Sequence, residues 1–283
     1  MDMKAFIKQF IPPILLDLYR ACRNRIYPSI YPRYVWEGVY PHFRDVPASG
    51  LGFSSDSWVS GAVANVQNMI AVSKNYESFP TEAVEEHAPL CTLAAIVSRQ
   101  NGGKVRILDF GGGVSIAYVH LLSSLGDSSV IDYHIVELEW ACQAGSRLFK
   151  DDSRIHFHRS LPIDFPEVDI LHMNDVLAYI EDYAVFLKTL CAYQAKYILI
   201  ANLAAGGFPT YASAQKNMQG TVIPYWFLNM HEIIRIMKQG GYSLIFKGAH
   251  REVYNLDNFL ERYRLDGGRA CTLLFALSHS LTS

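Results

Sequence analysis

Cysteine pairing is missing from this chain. Its five cysteines, Cys22, Cys91, Cys142, Cys191 and Cys271, are odd in number, widely spaced and form no C-x-x-C. That argues against a disulfide framework or a zinc site, and it fits a reducing cytoplasm. Charge is also sparse. Only 18% of residues are charged and the formal net charge is −2, so the molecule as a whole is no polyanion binder and no nucleic-acid partner is expected. No apolar run reaches the ~20 residues that a spanning helix needs. "AFIKQFIPPILLDLYRAC" is interrupted by Lys8, Pro12, Pro13 and Asp17, and no small-residue cleavage site follows it. Internal repeats and low-complexity tracts are absent.

What is present is enough apolar residue, 50% of the chain, for a large core. Charge is unevenly placed. Residues 1–34 carry Lys4, Lys8, Arg20, Arg23, Arg25 and Arg33 against Asp2 and Asp17. A basic amphipathic arm over 1–35 is expected, meeting a membrane surface peripherally or an acidic partner, docking on the protein's own body, or presenting a solvated face. Residues 36–103 read as a helical cap, with helices near 62–73 and 82–100 and a kink or split at Pro89. From residue 104 onward, β-rich runs alternate with helical stretches. Strands are expected at 105–110, 132–137, 154–158, 168–173, 197–202, 242–247 and 271–277. Helices are expected at 114–125, 139–150, 176–193 and 228–239. This alternation predicts an α/β fold: a mostly parallel seven-stranded sheet, helices on both faces, and an antiparallel pair at the end. Segment 203–227 has no clean period and reads as a long substrate loop.

The run "VRILDFGGGVSIAYVHLL" places three glycines between a strand and a helix, at the sheet edge where α/β proteins bind ligands. A phosphate loop would require a lysine after the glycines, and none follows. The dinucleotide fingerprint would place its third glycine at Ile116, so a nicotinamide enzyme is disfavoured. S-adenosylmethionine has no phosphates. It needs backbone room for its methionine end, an acid near the first turn and an acid after the second strand. Asp109 and Glu137 stand at those places. Glu137 also fits a plain solvent-facing strand end.

These residues carry a resemblance. "ILDFGGG" followed by "HIVE" resembles the first motif and acidic second strand of class I S-adenosylmethionine-dependent methyltransferases. "FIPPILL", "WEGVYPHF", "LDFGGG", "VDILHMNDVLAYIEDY" and "PYWFLNMHEI" occur in the order found in a family of methyltransferases associated with bacterial surface-polysaccharide genes. The sequence departs from that family at Ile116, where a small residue is usual. The resemblance implies a Rossmann-like fold, S-adenosylmethionine as cofactor, and O-methylation of a sugar or of a glycan or glycolipid precursor. It implies that Asp109, Phe110, Gly111, Gly112 and Gly113 surround the methionine moiety, with Glu137 on the ribose. Leu138, Ser160 and Leu161 would flank adenine, and Asn174 and Asp175 would face cofactor or acceptor. Competing readings are a non-catalytic binding protein that keeps this fold and a nicotinamide-dependent oxidoreductase.

For a proton acceptor the candidates are Asp175 and His231, with His172 more simply a structural strand residue. Asp175 is equally a helix N-cap. Tyr211, Tyr225 and Trp226, with Trp36 and Tyr40, would form an acceptor wall or pack a lid. His156 and His158 share one strand face, but no third ligand at metal spacing is visible, so no metal site is expected.

Overall fold

The computed structural model describes residues 34–75, 77–125, 130–163, 165–216 and 220–278. The basic arm expected over 1–35 lies outside them except for its last two residues. In chain order, β1 (Trp36–Tyr40) is followed by helices α1 (Asp56–Lys74) and α2 (Thr81–Gln100). Next come β2 (Lys104–Phe110), α3 (Ile116–Leu125), β3 (Val130–Val136), α4 (Glu139–Leu148), β4 (Ile155–His158) and β5 (Ile170–Asn174). The remainder is α5 (Tyr183–Cys191), β6 (Tyr197–Leu203), β7 (Ala205–Gly206), β8 (Tyr211–Gln215), β9 (Ile223–Asn229), α6 (Met230–Gln239), β10 (Tyr242–Val253) and β11 (Arg269–Leu277).

Seven strands form one sheet in the order β10-β11-β6-β5-β2-β3-β4. β2 pairs in parallel with both β3 and β5, while β11 runs antiparallel between β6 and β10. The expected α/β architecture and its terminal antiparallel pair are therefore present. From β2 the chain first moves outward through β3 to β4, then crosses back to β5 on the other side. The carboxyl end of β2 is thus a topological switch point, where the flanking connections diverge and leave a crevice.

Alternation along the central strands feeds two cores. Leu108, Val136, Leu171 and Ile198 face α5 and α6, while Ile107, Tyr133, Ile135 and Ile170 pack with Leu90, Val97, Tyr118 and Leu121 of α2 and α3. α6 shows how local sequence sets an element. Asn229 caps it by accepting from the Glu232 N–H at 3.1 Å, and Ile233, Ile236 and Met237 form its buried stripe.

Several expectations are corrected. Segment 203–227 is no loop. β7, β8 and β9 build a second, four-stranded sheet with β1 in the order β1-β8-β9-β7. The turn-rich "WEGVY" is its edge strand, held by Trp36↔Gln215 and Tyr40↔Ala212 pairing. Mutual strand pairing, invisible along the chain, outweighed the poor local signal. α2 runs unsplit through Pro89 because its Leu90, Leu93, Ala94 and Val97 face is buried on the sheet. The helix expected at 176–193 begins only at Tyr183, with Asp182 as its N-cap residue, after a single tight turn at Leu177–Tyr179. β10 extends to Val253, beyond its expected end at 247.

Candidate functional site

Two adjoining cavities lie over the switch point. One, of about 640 Å³, is walled by Phe110, Glu137, Leu138, Trp140, Ser160 and Leu161. The other, of about 530 Å³, reaches Glu86, His87, His172, Asn174 and Asn202. They share Trp58, Ala62, Gly111, Gly113, Asn174 and Asp175, so they are two ends of one cleft.

The glycine turn is dictated by its surroundings. Gly111 and Gly113 have φ of 74° and 59°, a region that side-chain-bearing residues seldom enter. A Cβ on Gly112 would stand 2.3 Å from Asp109 Oδ2, whereas one on Gly113 would meet nothing within 4 Å. Gly113 therefore borders open cleft and Gly112 sits on a buried carboxylate. That carboxylate is fully engaged: Asp109 is 1% exposed, with His172 Nδ1 at 2.7 Å from Oδ1 and the Tyr133 hydroxyl donating to Oδ2 at 2.6 Å. Asp109 supports the turn from beneath, with buried His172 against it. Next to the turn, Ser115 has φ of 79° and a buried hydroxyl without a partner. Ile116 opens α3 and packs with Val66, Val114 and Ala144 while bordering the cleft.

Glu137 closes over the turn. Gly113 N–H donates to its Oε1 at 3.3 Å, and Leu138 N–H donates to Oε2. Burial pushes its carboxyl above the usual range, opposed by those two N–H donors. Leu138 is half exposed toward the same cavity, as are parts of Ser160 and Leu161. Sequence reasoning thus brought these residues to one place. It missed Phe53, Trp58, Trp140 and Tyr179, which complete the walls from the turn before α1, from α1 and α4, and from the turn after β5. Nothing local distinguishes these aromatics from core residues.

Asp175 sits where the cavities join. Its φ is 52°, and Asn202, at the end of the neighbouring strand, has φ of 49°. Asp and Asn tolerate this left-handed conformation better than other side chains do, and strained residues cluster at functional sites. The N-cap role is gone, since no helix starts here. The Tyr225 hydroxyl donates to Asp175 Oδ1 at 3.3 Å and lies 3.0 Å from the Tyr254 hydroxyl, which donates to Asn202 Oδ1 at 3.4 Å. Burial, reinforced by the nearby Glu252 carboxylate, pushes the Asp175 carboxyl up to about 8.

A second acid was not foreseen. Glu86, one turn before Pro89 in α2, accepts from Asn174 Nδ2 at 2.7 Å and lies 3.0 Å from His250 Nε2 of β10. Burial acts to raise its carboxyl, but hydrogen bonds from His250 and Asn174 outweigh this and hold it below the usual range. Beside it, burial and the neighbouring His120 push His87 down to about 4, so its imidazole is neutral at pH 7. The cleft therefore pairs a carboxylate held ionised with a carboxyl held protonated near neutrality, the separation of roles that acid–base chemistry uses.

Other expected site residues lie elsewhere. His231 is exposed on α6 and borders neither cavity. Tyr225 and Trp226 point to opposite faces of β9, as consecutive strand residues must. Tyr225 reaches Asp175 through its hydroxyl, whereas Trp226 packs on Phe43 and Tyr183. Tyr211 stacks on Phe227 at 4.9 Å and Trp36 stacks on Tyr254 at 4.3 Å, both as core. Tyr40 packs against the main core. The aromatics expected to wall the acceptor are thus core residues, Trp36, Tyr211 and Tyr225 on one face of the second sheet and Tyr40 and Trp226 against the main core.

No family model and no curated protein matches the chain. Among solved structures, it is similar to a 1,6-didemethyltoxoflavin-N1-methyltransferase from Burkholderia thailandensis with bound 1,6-didemethyltoxoflavin and S-adenosylhomocysteine. Identity is 13%, covering 84% of this chain and 99% of that one, with a TM-score of 0.48. It is also similar to magnesium protoporphyrin IX methyltransferase from Synechocystis PCC 6803 with bound S-adenosylhomocysteine, at 13% identity, 97% and 99% coverage and a TM-score of 0.42. A sugar N-methyltransferase from a Streptoalloteichus species shows 12% identity, 69% and 87% coverage and a TM-score of 0.44. By its own sheet order and glycine turn, the chain is a Rossmann-like α/β protein with a cleft at the sheet's carboxyl edge. Among the described residues, no helix is long and apolar enough to cross a membrane.

Proposed function

We propose that this chain is an S-adenosylmethionine-dependent methyltransferase acting on a small polar acceptor. The observation that carries the reading is the meeting of the glycine turn with Glu137 in one 640 Å³ cavity at the switch point. The donor set fits this cofactor. Open space beside Gly113 admits the methionine end, and Glu137 offers carboxylate oxygens to ribose hydroxyls. Leu138 and the Ser160–Leu161 turn form walls for adenine, with Phe110 behind the turn. Two carboxylates flank the turn, and Arg159 on the cavity wall is already paired with Glu139 at 2.6 Å. That electrostatic setting repels a pyrophosphate and suits a sulfonium and an ammonium group. The cofactor supplies the methyl group when bound.

The protein's part is to position the acceptor and take its proton. Asp175, between the two cavities, is the base in this reading, and Asn174 and Asn202 orient the acceptor. Carboxylate and amide groups facing the 530 Å³ cavity, with Trp58 beside them, support a hydroxyl-bearing acceptor such as a sugar or sugar-linked precursor. A surface-polysaccharide role, a glycolipid acceptor and peripheral membrane contact through residues 1–34 rest on the resemblance and the basic arm.

Calorimetry with S-adenosylmethionine and S-adenosylhomocysteine tests the cofactor. Both should bind one per chain, with NAD showing no heat; absence of binding by the folded protein at millimolar ligand removes the proposal. S-adenosylhomocysteine formation across a panel of nucleotide sugars and glycolipids tests the acceptor. A panel without product, from protein that binds cofactor, removes the sugar reading.

A further inference from the structure

On the outer strands of the main sheet, away from the cleft, register assembles a group that spacing along the chain concealed. β3 and β4 pair in parallel with His134 opposite His156 and Val136 opposite His158. Asp132 and His134 share a face of β3, as His156 and His158 share one of β4. Residues 159–169, which connect β4 to β5, contain no helix among those described, so no crossover helix covers this corner of the sheet. Three imidazoles stack there, His134 at 4.5 Å from His156 and 5.2 Å from His158, with Phe165 set edge-on against His134 at 4.6 Å.

We infer that Asp132, His134 and His156 form a binding site for a borderline transition-metal cation of the Zn²⁺ class. One ligand atom from each residue lies within 4.8 Å of the others. Asp132 Oδ1 is 2.8 Å from His134 Nε2 and 3.5 Å from His156 Nε2. Tetrahedral zinc with bonds near 2.0–2.2 Å sets its ligand atoms about 3.4 Å apart, so small side-chain rotations complete the set. Two nitrogens and one oxygen select against Mg²⁺ and Ca²⁺, which take oxygen ligands. A fourth position stays open to water, because His156 is 43% exposed.

The surroundings hold the ligands in place. Arg106 Nε donates to Asp132 Oδ2 at 2.7 Å, turning Oδ1 toward the imidazoles. His158 Nε2 lies 3.0 Å from His134 Nδ1 and fixes that ring through its second nitrogen, the usual outer-shell support of a metal-bound histidine. The proton count balances. Without metal, His134 Nε2–H donates to Asp132 and His158 Nε2–H donates to His134 Nδ1. With metal on His134 Nε2, both rings carry their protons on Nδ1, and His134 Nδ1–H donates to His158 Nε2. No net proton is released where the rings are neutral.

The test is calorimetric titration of the chelator-stripped full chain with Zn²⁺ at pH 7. One Zn²⁺ per chain should bind, and the site should be lost in His134→Ala and in His156→Ala. His158→Ala, which removes only the outer support, should weaken affinity about 10- to 100-fold. Circular dichroism and urea midpoints confirm that each variant folds. His156→Ala, with its half-exposed side chain, should fold like the parent even if His134→Ala does not. Cu²⁺ substituted into the site should show nitrogen hyperfine splitting from two imidazoles. No stoichiometric Zn²⁺ binding by the parent, or undiminished binding by folded His156→Ala, overturns the assignment.

Discussion

At the scale of single residues, the base proposed here, Asp175, carries the sharpest prediction. Its carboxyl is raised from a usual value near 4 to about 8 by burial and by Glu252. The protonated form is therefore the native one at neutrality, and only the ionised form accepts a proton. Turnover should rise with pH through an apparent pKa near 8. Asp175→Asn should lower kcat about 10²- to 10⁴-fold and abolish that rise, with S-adenosylhomocysteine affinity within a few-fold of the parent. A pH–rate profile of both proteins checks this; an Asn variant with full activity removes Asp175 as the base. Stability carries the opposite sign. Between about pH 4 and 8 the native state binds a proton that the unfolded chain has released. The contribution of this group is present below that window and is lost as pH rises through it. Urea midpoints of the parent should fall across the window more steeply than those of Asp175→Asn.

At the scale of elements, the strand–turn–helix unit β2–α3 separates two kinds of glycine. Gly112 packs on buried Asp109, so Gly112→Ala should disturb the Asp109–His172–Tyr133 contacts and lower the unfolding midpoint as well as ligand affinity. Gly113 has space but a positive φ, so Gly113→Ala should cost about 1–2 kcal/mol of stability and place a methyl group in the cleft. Parallel unfolding curves and calorimetry distinguish them. The Gly113 variant should lose proportionally more affinity than stability, and equal losses would argue that this turn is scaffold only. α2 shows a second elemental device. Pro89 lacks the N–H that would bond the Glu85 carbonyl, yet burial of the following face keeps the helix whole. The turn before the proline delivers Glu86 and His87 to the cleft.

At the scale of the whole molecule, the second sheet ties residue 36 to residue 254 through an aromatic interior. Trp36 is 6% exposed and packs on Phe227 and on Tyr225 and Tyr254, the two residues bonded to Asp175 and Asn202. Trp36→Ala should destabilise the fold by about 3–5 kcal/mol, the range for removing a buried aromatic. Because Tyr225 and Tyr254 lean on it, kcat should fall further than cofactor affinity does. Chemical denaturation together with steady-state kinetics measures both; a loss under 1 kcal/mol would show that the second sheet stands without its edge strand.

The residues by themselves set out the strand–helix alternation, the glycine turn, and the acids at 109 and 137. Those signals are local: apolar periodicity, positive-φ glycines and one βαβ spacing all lie within a few turns of chain. They were enough for the α/β class and for Glu137 beside the glycine turn, while Leu138 and Ser160–Leu161, on the same side of the cleft, came only from the family resemblance. Everything that depends on distant pairing was settled in three dimensions. Tyr211, Trp226 and Trp36 look like a binding wall in one dimension and become core once β1 pairs with β8 and β8 with β9. Asp175 reads as a helix cap until the helix starts eight residues later, at Tyr183. Glu86 and His250 are 164 positions apart and carry no motif, yet they meet at 3.0 Å. The four residues at 132, 134, 156 and 158 form a cluster only through the register of two parallel strands. The division follows from the range of the forces: backbone propensity acts along the chain, whereas burial, charge pairing and strand register act between segments that only the fold brings together.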